Sequence, residues 1–70
     1  MKNNELGKII KQLRLERGVS QNELGKSLGF SNQTISFWEI GKREPDLDTL
    51  VKISKYFEVS CDYLLGKTEY

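Results

Sequence analysis

The chain has 70 residues, 37% hydrophobic and 30% charged, with a net charge of +1 at pH 7. This length leaves room for one domain, residues 1–70, and the apolar runs are too short for a membrane span. Cys61 is the only cysteine and histidine is absent, so an intrachain disulfide and a Cys/His metal site are excluded. We expect no enzyme activity, since the usual partner that activates a nucleophile is missing, and no metal, cofactor or small-molecule ligand.

Apolar residues at helical spacing predict a first helix that ends at Gly18. The residues at positions i, i+3, i+4 and i+7 are Leu6, Ile9, Ile10 and Leu13. The second helix begins at a capping box, Ser20 with Glu23, and ends at Gly29. Its buried residues are predicted to be Leu24 and Leu28.

A third helix is predicted from Asn32 to Glu39 or Ile40, with Ser31 as its N-cap. Only residues 29–31 separate it from the second helix, so the two must cross steeply in a helix-turn-helix arrangement. At about 100° per residue, one side of the third helix carries Ile35, Trp38 and Glu39. The opposite side carries Gln33, Ser36, Phe37 and Ile40.

Two further helices follow the break at Pro45. The fourth begins after Asp46, and its apolar stripe is predicted to comprise Leu47, Leu50, Val51, Ser54 and Phe57. The fifth is predicted over Cys61–Leu65, before Gly66. No segment shows the alternation typical of a strand, so the fold class is all-α.

The charges are unevenly distributed along the chain. Up to Pro45 there are eight Lys or Arg residues against five acids, and from Asp46 onward three against five. One end of the molecule is therefore predicted to be more positive than the other, and a positive surface favours binding to nucleic acid.

Ordered motifs make the chain resemble the Cro/repressor-type (Xre-like) helix-turn-helix family of bacteria and phages. They are Ile10-x-x-Leu13-Arg14, Gly18-Val19-Ser20-Gln21-x-x-Leu24, Leu28-Gly29-x-Ser31, Thr34-Ile35-Ser36, Trp38-Glu39-x-Gly41-Lys42-Arg43-x-Pro45, Leu50-x-x-Ile53 and Leu64-Leu65-Gly66. The resemblance covers residues 6–66. It implies a compact five-helix, lambda-repressor-like DNA-binding domain, with its helix-turn-helix at about residues 20–40, that binds double-stranded operator DNA as a homodimer with the third helix in the major groove.

The resemblance and the side-chain chemistry together give a candidate DNA-binding site. It comprises Gln21, Asn32, Gln33, Thr34, Ser36, Phe37, Lys42 and Arg43. Gln21 would bind a phosphate at a helix N-terminus, and the amides of Asn32 and Gln33 can pair with adenine. Lys42 and Arg43 could bind phosphates of the DNA backbone. The alternative explanation is a charged surface loop without a binding role.

Several positions depart from the family pattern or serve its structure. Arg14 and Glu39 match a pair that joins the first helix to the end of the third. Gly25 replaces the usual alanine; either residue is expected to fit, with glycine weakening the helix by about 1 kcal/mol. Ile40 stands where the family commonly has an asparagine that can touch the DNA backbone, and Phe37 stands at a usually polar, specificity-setting position.

Three explanations for Phe37 compete. It packs against a thymine methyl group, it forms with Ile40 an apolar patch for another protein, or it is simply tolerated at the surface.

Apolar residues of the fifth helix and tail have two possible roles. They are Cys61, Tyr63, Leu64, Leu65 and Tyr70. Leu64 is predicted to be core, and the others form a two-fold interface or cover the domain's own core.

The predicted function is a cytoplasmic, nucleoid-associated transcriptional regulator, a repressor rather than an activator, on a pseudo-palindromic operator. The alternative is an antirepressor-like protein-interaction module on the same fold, using a Phe37/Ile40 face. Since the chain starts with Met1 and the fold finishes near Gly66, we expect a complete small regulator.

Overall fold

The computed structural model describes residues 5–66, and this part of the chain is helical without strands. Its five helices are α1 (Glu5–Arg17), α2 (Gln21–Leu28), α3 (Asn32–Glu39), α4 (Leu47–Phe57) and α5 (Cys61–Leu64). The all-α, five-helix prediction is confirmed, whereas Tyr70 lies outside the described residues. Within residues 5–66, no helix combines the length and the apolarity needed to cross a membrane.

Side-chain caps define where four of the helices begin. The N-caps are Ser20, Ser31, Asp46 and Ser60, and each side chain accepts a hydrogen bond from the backbone N–H three residues later. The capping box of α2 is complete, because Glu23 N donates to Ser20 Oγ (3.0 Å) and Ser20 N donates to Glu23 Oε1 (2.8 Å). A cap of this kind is worth about 1 kcal/mol, so these short helices begin at defined residues.

One apolar core joins all five helices. Its buried residues are Leu6, Ile10, Leu13, Leu24, Leu28, Ile35, Trp38, Leu50, Ile53, Phe57 and Leu64. Helix α3 packs against α1 and α2, and α5 packs against α1 and α4. The predicted burial of Ile35, Trp38 and Leu64 is confirmed. Since α3 is held from two sides, its outer surface is presented on a rigid support.

The predicted stripe of α4 is partly wrong. Leu47 is 75% exposed and Val51 is 36% exposed. The buried residues at spacing i, i+3, i+4 and i+7 are Leu50, Ile53, Ser54 and Phe57. Leu47 is the first residue of α4 and lies before the turn that reaches the core. The fully buried Ile53 defines the face of α4 that packs against the core.

The turn between α2 and α3 brings two backbone segments together at Gly25. Gly29 N and Phe30 N both donate to Gly25 O, at 2.8 and 2.7 Å. A Cβ atom at position 25 would lie 2.5 Å from Phe30 O, which is closer than real Cβ contacts. The expectation that alanine fits here as well as glycine is therefore wrong, because the obstacle is backbone that cannot rotate away.

Candidate nucleic-acid interface

The first turn of α3 presents polar side chains to solvent. Asn32 and Gln33 are both exposed. Thr34 is half-buried and belongs to the cap, because Thr34 N donates to Ser31 Oγ (3.2 Å) and the two hydroxyl oxygens are 3.1 Å apart. The two amide side chains are thus the most accessible hydrogen-bonding groups of this turn, and a rigid cap holds the backbone that carries them.

The remaining outer face of α3 is less uniform than its sequence predicts. Ile40 is 61% exposed, as expected for that side of the helix. Ser36 and Phe37 are half-buried. The prediction that Phe37 points outward is therefore only partly correct, since neighbouring groups cover part of its ring.

A buried ion pair ties α1 to the end of α3. Arg14 Nε lies 2.7 Å from Glu39 Oε2, and Arg14 Nη2 donates to Glu39 Oε1 at 3.2 Å. A third bond runs from Arg14 Nη1 to Val19 O (3.0 Å). The predicted Arg14–Glu39 pair is confirmed. Its bidentate geometry, with both side chains largely out of water, fixes the angle between α1 and α3.

Gln21 joins the same network, which the sequence did not indicate. Gln21 Nε2 donates to Glu39 Oε1 at 3.0 Å, so that one carboxylate oxygen accepts from both Gln21 and Arg14. The amide retains a second N–H and its carbonyl oxygen for a further partner. Gln21 opens α2, and its contact with Glu39 holds this N-terminus beside the C-terminal end of α3.

The loop after α3 begins with a Schellman motif. Gly41, with φ of 79°, donates from its N–H to Trp38 O (3.1 Å), and Lys42 N donates to Phe37 O (2.9 Å). Arg43 N also donates to Phe37 O, at 3.3 Å. The chain is thereby turned back along α3, which places two exposed cationic residues beside the outer face of that helix.

The ring of Phe37 is flanked by these two cations. Lys42 Nζ lies 5.6 Å from the ring centroid and Arg43 Cζ lies 5.7 Å from it. Both distances are within the range of cation–π attraction. By contrast, the neighbouring Trp38 is buried and makes an edge-to-face contact with Phe30, with a centroid distance of 5.1 Å and an interplanar angle of 68°.

An open groove of about 340 Å³ runs between α3 and the start of α4. Its lining residues are Phe30, Gln33, Thr34, Phe37, Trp38, Arg43, Glu44, Pro45, Asp46 and Thr49. Hydrogen bonds from the side chain and then the backbone of Thr49 lower the pKa of Asp46, and Lys52 lowers it further. Asp46 is ionised at neutral pH and adds a negative charge to this side of the groove.

The structure brings most of the predicted site residues to one region. Gln33, Thr34, Phe37 and Arg43 share the groove, Lys42 lies against Phe37, and Asn32 precedes Gln33. Gln21 lies at the C-terminal end of α3, where its amide donates to Glu39. The surface thus has amide groups suited to base edges at its centre and a cationic loop on one flank.

Comparisons with known proteins agree with this geometry. A family model described as helix-turn-helix matches residues 10–64. The HTH-type transcriptional regulator ImmR of Bacillus subtilis is 45% identical over 64 residues, which is 91% of this chain and 50% of ImmR. Repressor protein C2 of Salmonella phage P22 is 40% identical over 60 residues, 86% of this chain and 28% of that protein. The chain spans half the length of the first relative and less of the second.

The fold also matches a solved complex. The crystal structure of the P22 c2 repressor protein in complex with a synthetic operator superposes with a TM-score of 0.84 at 38% identity. The match covers 90% of this chain and 96% of that one. The lambda-repressor-like fold expected from the sequence motifs is thereby confirmed.

Proposed function

This chain belongs to the helix-turn-helix family, and we propose that it is a sequence-specific, DNA-binding transcriptional regulator acting as a repressor. The observation that carries the proposal is the exposed pair Asn32 and Gln33 at the start of α3, on a helix whose other side is buried through Ile35 and Trp38. A rigid helix that presents amides is suited to the major groove, where asparagine and glutamine pair bidentately with adenine.

Phosphate contacts would fix the register of α3 on the duplex. We assign them to Gln21 at the start of α2 and to Lys42 and Arg43 in the loop after α3. Gln21 stands at a helix N-terminus whose amides favour an anion, and its side chain keeps a free N–H beside the bond to Glu39. Thr34 and Ser36 are half-buried, so in this proposal they contribute short contacts to the backbone or to a thymine methyl group.

A single module of this size buries little surface on DNA, so tight binding requires a second copy. We propose a homodimer on a pseudo-palindromic operator, with the two α3 helices about 34 Å apart, one helical turn of DNA. The regulator would act in the cytoplasm, on the nucleoid, without catalysing a reaction.

The alternative of a protein-interaction module gains no support. The relatives described above are a transcriptional regulator and one phage repressor, which was also solved in complex with a synthetic operator. In this alternative Phe37 and Ile40 would form an apolar face, but the ring of Phe37 lies beside the cationic side chains of Lys42 and Arg43.

Selection of bound sites from random duplex DNA at two salt concentrations tests the proposal. We expect an enriched inverted repeat, and affinity that falls steeply with salt, by about 0.9 logarithmic units per phosphate contact for each tenfold rise in salt. Weak binding without an enriched motif would reject it.

Matched variants locate the contact within the same experiment. Gln33→Ala should weaken binding to the selected site and relax the preference at one base pair, by about 1–3 kcal/mol. Gln12→Ala removes the same type of exposed side chain from α1 and should leave both properties unchanged.

A further inference from the structure

Phe37 contacts the loop that follows α3 in two separate ways. Its carbonyl oxygen accepts hydrogen bonds from Lys42 N and Arg43 N, at 2.9 and 3.3 Å. Its ring lies 5.6 Å from Lys42 Nζ and 5.7 Å from Arg43 Cζ. The backbone bonds do not depend on the side chain at position 37, so the contribution of the ring can be removed without losing the turn.

The ring opposes the tendency of the two cations to separate. Lys42 and Arg43 are adjacent in sequence and carry like charges, which repel each other and favour divergent side-chain conformations. The negative face of an aromatic ring attracts both cations to the same place. Long side chains that are held before binding lose less conformational freedom when they meet a ligand.

The cations remain available while they lie against the ring. A π face attracts a charge without consuming its hydrogen-bond donors, of which lysine has three and arginine five. Both residues are exposed, so these donors can still reach phosphate oxygens. The arrangement therefore holds two cationic groups against the ring and leaves their hydrogen-bond donors open to phosphate.

We propose that Phe37 is a positioning residue whose ring holds Lys42 and Arg43 ready for DNA backbone phosphates, so that it sets affinity and salt dependence instead of base preference. This inference rests on the proposed DNA-binding function. In this proposal Phe37 does not contact a thymine methyl group. Its effect on affinity is the same for every DNA sequence, because phosphates carry no base identity.

The test compares Phe37→Leu with Phe37→Tyr. Leucine keeps an apolar side chain but lacks the π face, whereas tyrosine retains it. On the selected duplex we expect Phe37→Leu to weaken binding about five- to thirtyfold, the range that two exposed cation–π contacts would allow. In Phe37→Leu, the slope of the logarithm of the binding constant against the logarithm of the salt concentration should become shallower by about one unit, and the base preference should stay the same. Phe37→Tyr should bind like the unchanged protein.

A double-mutant cycle identifies the route of the effect. In a Lys42→Ala/Arg43→Ala background, Phe37→Leu should change the affinity less than about twofold, because the groups that it positions are gone. An undiminished effect in that background would overturn the proposal. So would a change of preferred base with an unchanged salt slope, which would identify Phe37 as a base contact.

A measurement on the unchanged protein keeps the inference testable if a variant fails to fold. Ring currents should shift the side-chain proton resonances of Lys42 and Arg43 upfield, and resonances at random-coil positions would overturn the proposal.

Failure of the unchanged protein to bind any duplex would reject the proposed function and this inference with it. Binding with an inert Phe37→Leu substitution would reject this inference alone.

Discussion

Trp38 and Phe37 are adjacent aromatic residues on different sides of α3, and their surroundings differ. Trp38 is 4% exposed and packs in the core against Phe30. Phe37 is half-buried, and its ring is flanked by two loop cations. A rotation of about 100° between neighbouring residues separates a side chain that holds the helix in the domain from one that belongs to the proposed binding surface.

The polar groups of α3 follow the same division. On the inner side, Glu39 accepts from Arg14 and Gln21 and is buried. On the outer side, Asn32 and Gln33 remain exposed. Substitutions on the inner side should therefore reduce stability, whereas those on the outer side should reduce binding.

Trp38→Ala should give the largest effect. Removing this buried ring should lower the free energy of unfolding by about 3–5 kcal/mol, which is a large part of the stability that a domain of this size has. Urea denaturation followed by circular dichroism measures the loss. Phe37→Leu is the control and should cost less than about 1.5 kcal/mol; equal losses would contradict the division of α3 into two sides.

Glu39→Gln should come next. It removes the charge that faces the buried guanidinium of Arg14, and breaking such a pair costs about 3 kcal/mol. The exposed Glu16→Gln serves as the control and should change the stability by less than about 0.5 kcal/mol in the same denaturation experiment. Similar stabilities of the two variants would show that the ion pair contributes nothing.

Gly25→Ala tests the turn that sets the direction of α3. Helix propensity alone predicts a gain of about 1 kcal/mol. Because the new Cβ atom would meet Phe30 O, we expect instead a net loss of about 1–3 kcal/mol, the usual range for overpacking. Ser27→Ala, at an exposed position of the same helix, should be neutral or slightly stabilising. A thermal melt in which Gly25→Ala matches or exceeds the unchanged protein would refute the clash.

Asp46 should give the smallest effect, and one that depends on pH. Its folded-state pKa is lowered from 3.8 by hydrogen bonds from Thr49. Its contribution is therefore fully present above the unfolded pKa and is lost as the pH falls through the lowered folded pKa. Asp46→Asn keeps a capping oxygen but cannot titrate, so its stability should approach that of the unchanged protein as the pH falls from about 5 to about 2. A constant difference over this range would contradict the assignment.

Local signals made the helices predictable, and long-range contacts limited the prediction of the site. Capping residues and terminal glycines act within a few residues, so the ends of α2 and α3 follow from the sequence. The inner face of α3 follows from periodicity. The bond between Gln21 and Glu39 joins residues 18 apart in sequence, and no local pattern encodes it.

Two further differences have physical causes that periodicity does not contain. Leu47 occupies an apolar position of α4 but lies in its first turn, where the core does not reach. The cover on Phe37 depends on how the loop folds back after Gly41, and a helical projection of α3 does not include that loop. A helical projection of α3 predicts correctly on which side Phe37 lies, but it overestimates the exposure of its side chain.

Amide chemical-shift mapping tests the central claim, that the outer side of α3 with its flanking groups binds DNA. The 8.1 kDa chain is suited to titration with a selected duplex under NMR observation. We predict that the largest shifts lie at Gln21, in the first turn of α3 and at Lys42 and Arg43, with small changes around Leu15 and Leu47. Shifts centred on Leu15 or Leu47, with α3 unaffected, would contradict the account.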